Sequence, residues 1–254
     1  MMDPVAGALP SPYRLIRFVE IDSTNEEAKR RIESGHGEPA LITAVEQTAG
    51  RGRRERAWQS PPGNIYATWM QKLGESPLQA ARTGFILSLS IAEAVAHTVP
   101  HEIKVGVKWP NDVLAEGAKL AGILLEIAHD PGGAPWLISG FGVNVEHAPE
   151  NTPYPATKVQ AFAPKASVHD LLAEIANRYA GWHARYLAKG FAPVREAWLA
   201  KAVRLGEEIT VNFPDGTQLS GIFETLTEEG VLLLNVEGEI KPVSAGDVYF
   251  RRAA

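Results

Sequence analysis

Hydrophobic positions along the chain follow two repeating patterns, one typical of strands and one typical of helices. Runs rich in β-branched and aromatic residues predict strands at 13–20, 40–46, 64–73, 105–114, 119–126 and 136–145. Apolar residues spaced three and four positions apart predict helices at 78–99, 168–189 and 194–202. A further helix is expected from 25 to 32, because Ser23 and Glu26 have the spacing of a capping box. This alternation predicts an α/β body.

The pattern changes after residue 202, where short strand-like runs follow one another closely. They cover residues 203–213, 217–226, 230–236, 239–243 and 247–251. Turn signals at 214–216 and 228–230 separate the runs, which is typical of antiparallel strands. We therefore predict two domains, an α/β domain over 1–200 and a small antiparallel β-barrel over 201–254.

The overall composition excludes several classes of protein. The chain has 254 residues and is 45% hydrophobic, enough for one large or two smaller cores. Its formal net charge of −5 argues against a protein whose whole surface binds nucleic acid. The absence of cysteine excludes disulfides, thiolate nucleophiles and zinc sites with cysteine ligands. No apolar run approaches the length of a membrane span, and residues 1–10 do not resemble a secretory signal, so we expect a cytoplasmic protein.

One basic segment stands out against this acidic background. Residues 51–56 contain four arginines and one glutamate, and glycines at positions 50 and 52 let the backbone turn tightly. The connection that holds them, here called the arginine loop (47–63), is about 17 residues long, and loops of this length are often functional lids. Two interpretations stay open from the residues alone: a solvated surface loop, or a lid whose guanidinium and peptide N–H groups bind a small anion.

Other polar clusters have both structural and functional interpretations. The start of the predicted helix at 23–25 either caps the helix or forms a binding site. The Trp-Pro-Asn-Asp run at 109–112 predicts a rigid corner at the end of one strand of a hairpin. Lys119 is either a surface lysine or a functional cation. His97 and His101 have the spacing of a metal pair, but Pro100 interrupts the helix between them, so no metal site is expected there.

The combination of these segments is far more specific than any one of them. The Gly-Arg-Gly-Arg-x-x-Arg-x-Trp pattern at 50–58 precedes Lys-Trp-Pro-Asn-Asp at 108–112, Lys119 and Gly-Phe-Gly-Val-Asn at 140–144. In this order the segments resemble the bacterial biotin protein ligases, and the resemblance covers about residues 13–251. It implies an α/β catalytic domain with a mixed sheet and flanking helices, related to class II aminoacyl-tRNA synthetases and lipoate ligases. It also implies a small C-terminal antiparallel β-barrel.

The resemblance implies an enzyme with two substrates besides its protein acceptor. Biotin and ATP would give biotinyl-AMP, from which biotin passes to a lysine of the biotin carboxyl carrier protein of acetyl-CoA carboxylase. It also implies Mg²⁺, because ATP phosphates need it. Asp112 is the carboxylate expected near the metal, or alternatively, together with Asn111, it orients Lys119 or the incoming lysine.

The resemblance also assigns roles to particular residues. The expected catalytic residues are Lys119, Arg53 and Asp112. The residues expected to bind biotin, ATP or the adenylate are Ser23, Thr24, Asn25, Gln47, Gly50, Arg51, Gly52, Arg53, Arg56, Trp58, Lys119, Gly122, Gly142 and Asn144. No residue is assigned as a dedicated protein ligand for a metal.

Rival functions remain to be distinguished at this point. A lipoate ligase or octanoyltransferase has the same fold but lacks the arginine-rich and Lys-Trp-Pro-Asn-Asp patterns. A non-catalytic module that binds a carrier protein or nucleic acid would not consume ATP. The 12 residues before Tyr13 are too few for the DNA-binding domain of some family members, so no DNA binding is expected. The sequence leaves a monomer and a homodimer both open.

Overall fold

The longest apolar runs of the chain form the central strands of a seven-stranded sheet. The computed structural model describes residues 4–74, 78–150, 152, 154–213, 215–244 and 246–249. The sheet contains β1 (Arg14–Ile21), β2 (Ala40–Gln47), β3 (Ile65–Lys72), β4 (Val105–Lys108), β5 (Asp112–Ala115), β6 (Ala118–His129) and β7 (Pro135–Val143). Their order is β1-β2-β3-β7-β6-β5-β4. Only β1 and β2 run parallel among these pairs, so the predicted mixed sheet is confirmed.

Helices cover both faces of this sheet, which explains why β3 and β7 are buried on both sides. The helices are α1 (Pro4–Ala8), α2 (Thr24–Glu33), α3 (Leu78–Thr98), α4 (Val168–Lys189) and α5 (Ala192–Leu199). Successive strand residues point to opposite faces. Leu41 and Trp69 belong to the large core that includes residues of α3 and α4, whereas Ile42 and Met70 contact the smaller cluster under α2.

The N-terminus of α2 differs from the predicted capping box. Ser23 is the N-cap residue, but its side chain makes no capping hydrogen bond. The carboxylate of Glu26 binds the guanidinium of Arg51 instead of turning back to the helix end. The helix boundaries predicted from the sequence are right within one residue. The predicted capping box is wrong, because Glu26 forms an ion pair with Arg51 instead.

The segment predicted as a two-stranded hairpin forms three strands. The chain reverses at the rigid corner predicted at 109–112, so the first predicted strand becomes two antiparallel strands, β4 ending at Lys108 and β5 beginning at Asp112. Trp109 is buried, and its Nε1 donates to the carbonyl of Gly230, 3.4 Å away. At the following turn Glu116 and Gly117 both have positive φ, 49° and 76°, the geometry of a tight two-residue hairpin.

The C-terminal strands form a separate antiparallel sheet, as predicted. Its strands are β8 (Glu208–Asn212), β9 (Gln218–Leu226), β10 (Leu232–Val236), β11 (Glu239–Val243) and β12 (Asp247–Tyr249), in the order β11-β10-β9-β8-β12. Within the described ranges no pairing joins β11 to β12, so the sheet is not closed as the predicted barrel would be. Residues 250 and 251 of the last predicted strand lie outside the described residues. The division of the chain at residue 200 stays a prediction.

None of the helices in the described part of the chain combines the length and the apolarity that a membrane span needs.

The burial of α3 predicts a large stability difference between two otherwise identical substitutions. Leu89 lies in α3 with none of its surface exposed, whereas Leu187 lies in α4 with 67% exposed. Leu89→Ala should lower the free energy of unfolding by about 2–5 kcal/mol, because it leaves a cavity in a packed core. Leu187→Ala should change it by less than about 0.5 kcal/mol.

Urea denaturation of both variants measures the difference. Equal midpoints for the two variants would contradict the packing of α3 described above.

Candidate functional site

Most of the residues singled out by the sequence line one cavity of about 790 Å³. The cavity lies on the α2 face of the main sheet, over glycines of β6 and β7, and reaches β12 of the C-terminal sheet. Its lining includes Ser23, Thr24, Asn25, Gln47, Arg51, Gly52, Arg53, Arg56, Trp58, Asp112, Lys119, Gly122, Gly142 and Asn144. Gly50 does not line the cavity. A side chain at this position would clash with Ser60, because its Cβ would lie 2.5 Å from the Ser60 Oγ. Proximity is thus established, and the individual roles stay predictions.

A neutral polar corner forms one end of the cavity. Ser23, Thr24 and Asn25 stand at the start of α2 with at most 6% of their surfaces exposed. Gln47, at the end of β2, accepts at its Oε1 from the backbone N–H of Thr24, 2.8 Å away, and from the Thr24 hydroxyl, 3.1 Å away. Hydroxyl and amide groups held in this way suit a neutral ligand group with both donors and acceptors. We call Ser23, Thr24, Asn25 and Gln47 the polar corner.

Asn25 is held by hydrogen bonds at both ends of its side-chain amide. The Thr68 hydroxyl donates to its Oδ1 at 2.6 Å, and its Nδ2 donates to Glu126 at 2.6 Å. Its amide lies against Gly140, where an added Cβ would fall 2.0 Å from Oδ1. Sequence reasoning missed Glu126. A charged residue on the same face of β6 as Gly122 and Leu124 was the signal that could have found it.

Arg51 is surrounded by carboxylates. It pairs with Glu26, with Glu55 at 3.0 Å and with Glu126 at 3.6 Å. The pKa of its guanidinium is raised, chiefly by its hydrogen bonds to Glu55. The sequence suggested that Arg51 is an available cation, but its charge is already offset by these partners. It therefore links the arginine loop to α2 and β6.

The other arginines of the loop converge on one carboxylate of the C-terminal sheet. Arg53, Arg54 and Arg56 lie 3.0, 3.2 and 3.3 Å from the carboxylate of Asp247. Arg53 also donates to the Oδ1 of Asn111 at 3.2 Å. Three guanidinium groups against one carboxylate leave an excess of positive charge at this end of the cavity. No sequence pattern indicated Asp247, which lies almost 200 positions away from the arginines it binds.

Lys119 and Asp112, which both line the cavity, form a close ion pair. The Nζ of Lys119 lies 2.6 Å from Asp112, which is also 3.8 Å from the Nζ of Lys108. Burial lowers the pKa of Lys108. Of the two roles expected for Asp112, the geometry favours the orientation of Lys119, because the carboxylate already faces two ammonium groups.

The side chain of Trp58, a residue of the arginine loop, packs against Gly122 and Gly142 of the main sheet. An added Cβ at Gly142 would meet its Nε1 at 2.4 Å, and one at Gly122 would come within 3.3 Å of its ring. The ring also faces the Nζ of Lys119, 5.5 Å from the ring centroid. Among the described residues its buried Nε1 has no hydrogen-bond partner. Gly142 is therefore required because the indole takes the space of a side chain, and a side chain at Gly122 would be tightly packed against both Lys119 and the indole.

Another wall of the cavity comes from the segment 148–164, which contributes Pro149, Thr152, Tyr154, Pro155 and Ala156. Asn144, at the end of β7, is buried and donates from Nδ2 to the carbonyl of Thr157 at 3.0 Å. The Nζ of Lys108 lies 5.4 Å from the centroid of the Tyr154 ring. A short 3-10 turn at Val159–Ala161 interrupts the segment, and residues 151 and 153 lie outside the description.

The described residues do not gather a set of metal ligands. Within the described ranges no three His, Cys, Asp or Glu side chains come together as a cation site. The two carboxylates at the cavity, Asp112 and Asp247, each face positively charged side chains. Any divalent cation here would depend on oxygen atoms supplied by a ligand.

Two family models match the chain. Residues 16–135 match the biotin/lipoate A/B protein ligase family, and residues 205–251 match the biotin protein ligase C-terminal domain. These matches cover most of the main sheet and the C-terminal sheet.

Relatives and solved structures cover the chain almost completely. The chain is 38% identical to biotin--[acetyl-CoA-carboxylase] ligase of Paracoccus denitrificans, over 90% of this chain and 97% of that protein. It is 33% identical to the enzyme of the same name from Mycobacterium tuberculosis, over 99% and 94%. The biotin protein ligase of Aquifex aeolicus, in complex with biotin and ATP, is similar with a TM-score of 0.79, 29% identity and coverage of 94% and 99%.

The convergence of three arginines on Asp247 predicts how the loop responds to loss of that carboxylate. Asp247→Asn should speed tryptic cleavage after Arg53, Arg54 and Arg56 by roughly fivefold, because it removes their shared partner and lets the loop open. Mass spectrometry of the early digestion products measures the cleavage at these bonds.

Glu239→Gln is the matched control, since it removes one carboxylate from β11 of the same sheet at a side chain that is 80% exposed. It should leave cleavage in the loop unchanged. Equal cleavage in both variants would show that Asp247 does not hold the arginines.

Proposed function

We propose that this chain, which belongs to the biotin/lipoate A/B protein ligase family, activates biotin with ATP and transfers it to a lysine of a biotin carboxyl carrier protein. Biotinyl-AMP and pyrophosphate form in the first step, and AMP leaves in the second. The acceptor is the carrier protein of acetyl-CoA carboxylase, which the names of the two relatives indicate. The enzyme acts in the cytoplasm.

One observation carries this proposal: the two ends of a single cavity have opposite chemical character. The polar corner offers neutral donors and acceptors, which suit the uncharged ureido ring of biotin. The other end offers Lys119 and the arginines around Asp247, which suit the phosphates of ATP. A ligand that spans the cavity therefore brings the biotin carboxylate close to the α-phosphate between the two ends.

The first step joins two anions, so the site must offset their repulsion. A carboxylate oxygen of biotin attacks the α-phosphorus, the bond to pyrophosphate breaks, and negative charge accumulates on the phosphoryl oxygens. Lys119 is positioned for this charge by its pairing with Asp112 at 2.6 Å. Arg53 adds a second cation from the loop, and Asn111 and Asp247 orient it.

The second step needs the adenylate to survive until the carrier arrives. The carrier lysine attacks the acyl carbon, an amide bond forms, and AMP leaves with the bonding electrons. A mixed anhydride hydrolyses in water, so the arginine loop acts as a lid that limits solvent access. Gly50 and Gly52 allow its turns, and Trp58 supplies its apolar surface against Gly122 and Gly142. Asn144 holds the adenylate at the far end.

Mg²⁺ enters this scheme together with ATP. The described residues form no cluster of three metal-ligating side chains, so they do not fit a resident metal centre. They fit a cation that arrives on the phosphates, with Asp112 as the neighbouring carboxylate. Such a cation supplies charge neutralisation of the phosphates.

Mass spectrometry of a purified carrier domain tests the proposed function together with the role of Lys119. The parent protein, incubated with biotin and Mg-ATP, should add one biotinyl group to the carrier, and lipoate should not replace biotin. Lys119→Ala should lower biotin-dependent pyrophosphate exchange by at least about a hundredfold, because the charge on the phosphoryl oxygens is no longer stabilised.

Lys29→Ala is the control, because Lys29 is an exposed lysine of α2 outside the cavity lining. It should exchange at the parent rate. A Lys119→Ala protein with parental exchange and an unchanged circular dichroism spectrum would contradict the role of Lys119, whereas a parent that leaves the carrier unmodified would contradict the function.

Arg53→Gly should separate adenylate formation from adenylate retention. Removal of this side chain breaks its contacts with Asp247 and Asn111, so the loop no longer closes over the product. Pyrophosphate should still form, while free biotinyl-AMP in solution and unselective labelling of lysines on a bystander protein should both rise several times.

Liquid chromatography of the reaction mixture measures the free adenylate, and Arg53→Lys, which keeps a positive charge, is the comparison. Retention of the adenylate by Arg53→Gly at the parent level would count against the lid.

A further inference from the structure

Glu126 is an acidic residue in the middle of an otherwise apolar stretch of β6. It follows Gly122 and Leu124 on the face of β6 that lines the cavity. Its side chain is 33% exposed and does not itself form part of the cavity lining. A carboxylate on this face loses much of its contact with water, so its position requires partners that compensate for the loss.

The two oxygens of Glu126 bind two different parts of the site. Oε2 accepts a hydrogen bond from the Nδ2 of Asn25 at 2.6 Å, and Oε1 lies 3.6 Å from a guanidinium nitrogen of Arg51. Asn25 belongs to the polar corner, and Arg51 belongs to the arginine loop. One side chain on a rigid strand therefore joins the two segments that the proposed mechanism uses for biotin and for the lid.

The contact with Asn25 decides which way the amide faces. A side-chain amide can turn over and exchange its oxygen and nitrogen unless its neighbours distinguish them. Glu126 can accept but not donate in its ionised form, so it takes the NH₂ end, while the Thr68 hydroxyl donates to the oxygen at 2.6 Å. Gly140 leaves the amide no free space behind it. Asn25 is only 6% exposed, so an unpaired Nδ2 would be costly.

We propose that Glu126 is a positioning residue for biotin recognition, acting through Asn25 to fix the donor and acceptor pattern of the polar corner. The proposal rests on the proposed function and extends it to a residue that does not touch the ligand. Glu126 acts through a hydrogen bond to an amide, so its loss should weaken biotin binding and leave ATP binding nearly unchanged.

Three variants separate the hydrogen bond from the charge. Glu126→Leu removes both, Glu126→Gln keeps an acceptor of the same length, and Glu26→Gln removes a different carboxylate from Arg51. Pyrophosphate exchange gives KM for biotin and for ATP, and calorimetry gives the Kd for biotin without ATP. Glu126→Leu should raise both the KM and the Kd for biotin at least about tenfold and change the KM for ATP by less than about twofold. The other two should raise the biotin constants by less than about threefold.

A double-mutant cycle with Asn25→Ala tests whether Glu126 acts through Asn25. In that background Glu126→Leu should change biotin binding by less than about twofold, because its target is already absent. Unchanged biotin constants for Glu126→Leu, an equal rise for biotin and ATP, or additive effects in the cycle would each overturn the proposal. If Glu126→Leu does not fold, Glu126→Ala replaces it with the same expectations.

The parent protein distinguishes this inference from the function on which it rests. Biotin-dependent exchange by the parent, together with unchanged constants for the Glu126 variants, overturns only the role of Glu126. A parent without biotin-dependent exchange overturns the proposed function, and the inference with it.

Discussion

The site depends on carboxylates that keep several arginines together in one loop. Like charges a few ångströms apart repel, so the Gly-Arg-Gly-Arg-x-x-Arg segment cannot fold onto the sheet without compensating charges. Two separate sets of carboxylates provide this compensation. Glu26, Glu55 and Glu126 surround Arg51, whereas Arg53, Arg54 and Arg56 share the carboxylate of Asp247. The first set fully offsets its arginine, and the second leaves positive charge available for an anionic ligand.

Glycine residues give the other constraint on the site. Gly140 and Gly142 lie next to each other on the cavity face of β7, and both would clash if they carried a side chain. Asn25 fills the space over the first, and Trp58 fills the space over the second. The flat sheet surface thus brings the start of α2 and the arginine loop into contact with the same strand. The polar corner and the lid are adjacent for this reason.

Local sequence predicted the parts of the site but not the contacts between them. The patterns at 50–58 and 108–112 identified residues that do line one cavity, since each pattern lies within a single loop or corner. Asp247 could not be found in this way, because its partners are distant in the chain and only the folded sheets bring them together. Glu126 had a local signal, its charge within an apolar strand, but its partners could not be identified from the sequence. The capping box failed for a related reason: Glu26 has a stronger partner in Arg51 than in the helix end. β4 and β5 form an antiparallel hairpin, and Pro110, which has no N–H to donate to a strand neighbour, lies in the turn between them.

The position of Asp247 gives the C-terminal sheet a part in the cavity. Arg53, Arg54 and Arg56 would repel one another without a nearby carboxylate, and the carboxylate of the loop, Glu55, is paired with Arg51. Asp247 resolves this conflict from outside the loop, because β12 presents one carboxylate to three guanidinium groups. Arg53 also donates to the carbonyl of Gly246, so the same turn of the C-terminal sheet contacts the lid twice. The segment that matches the family model of the C-terminal domain therefore contributes residues of β12 to the same cavity as the main sheet.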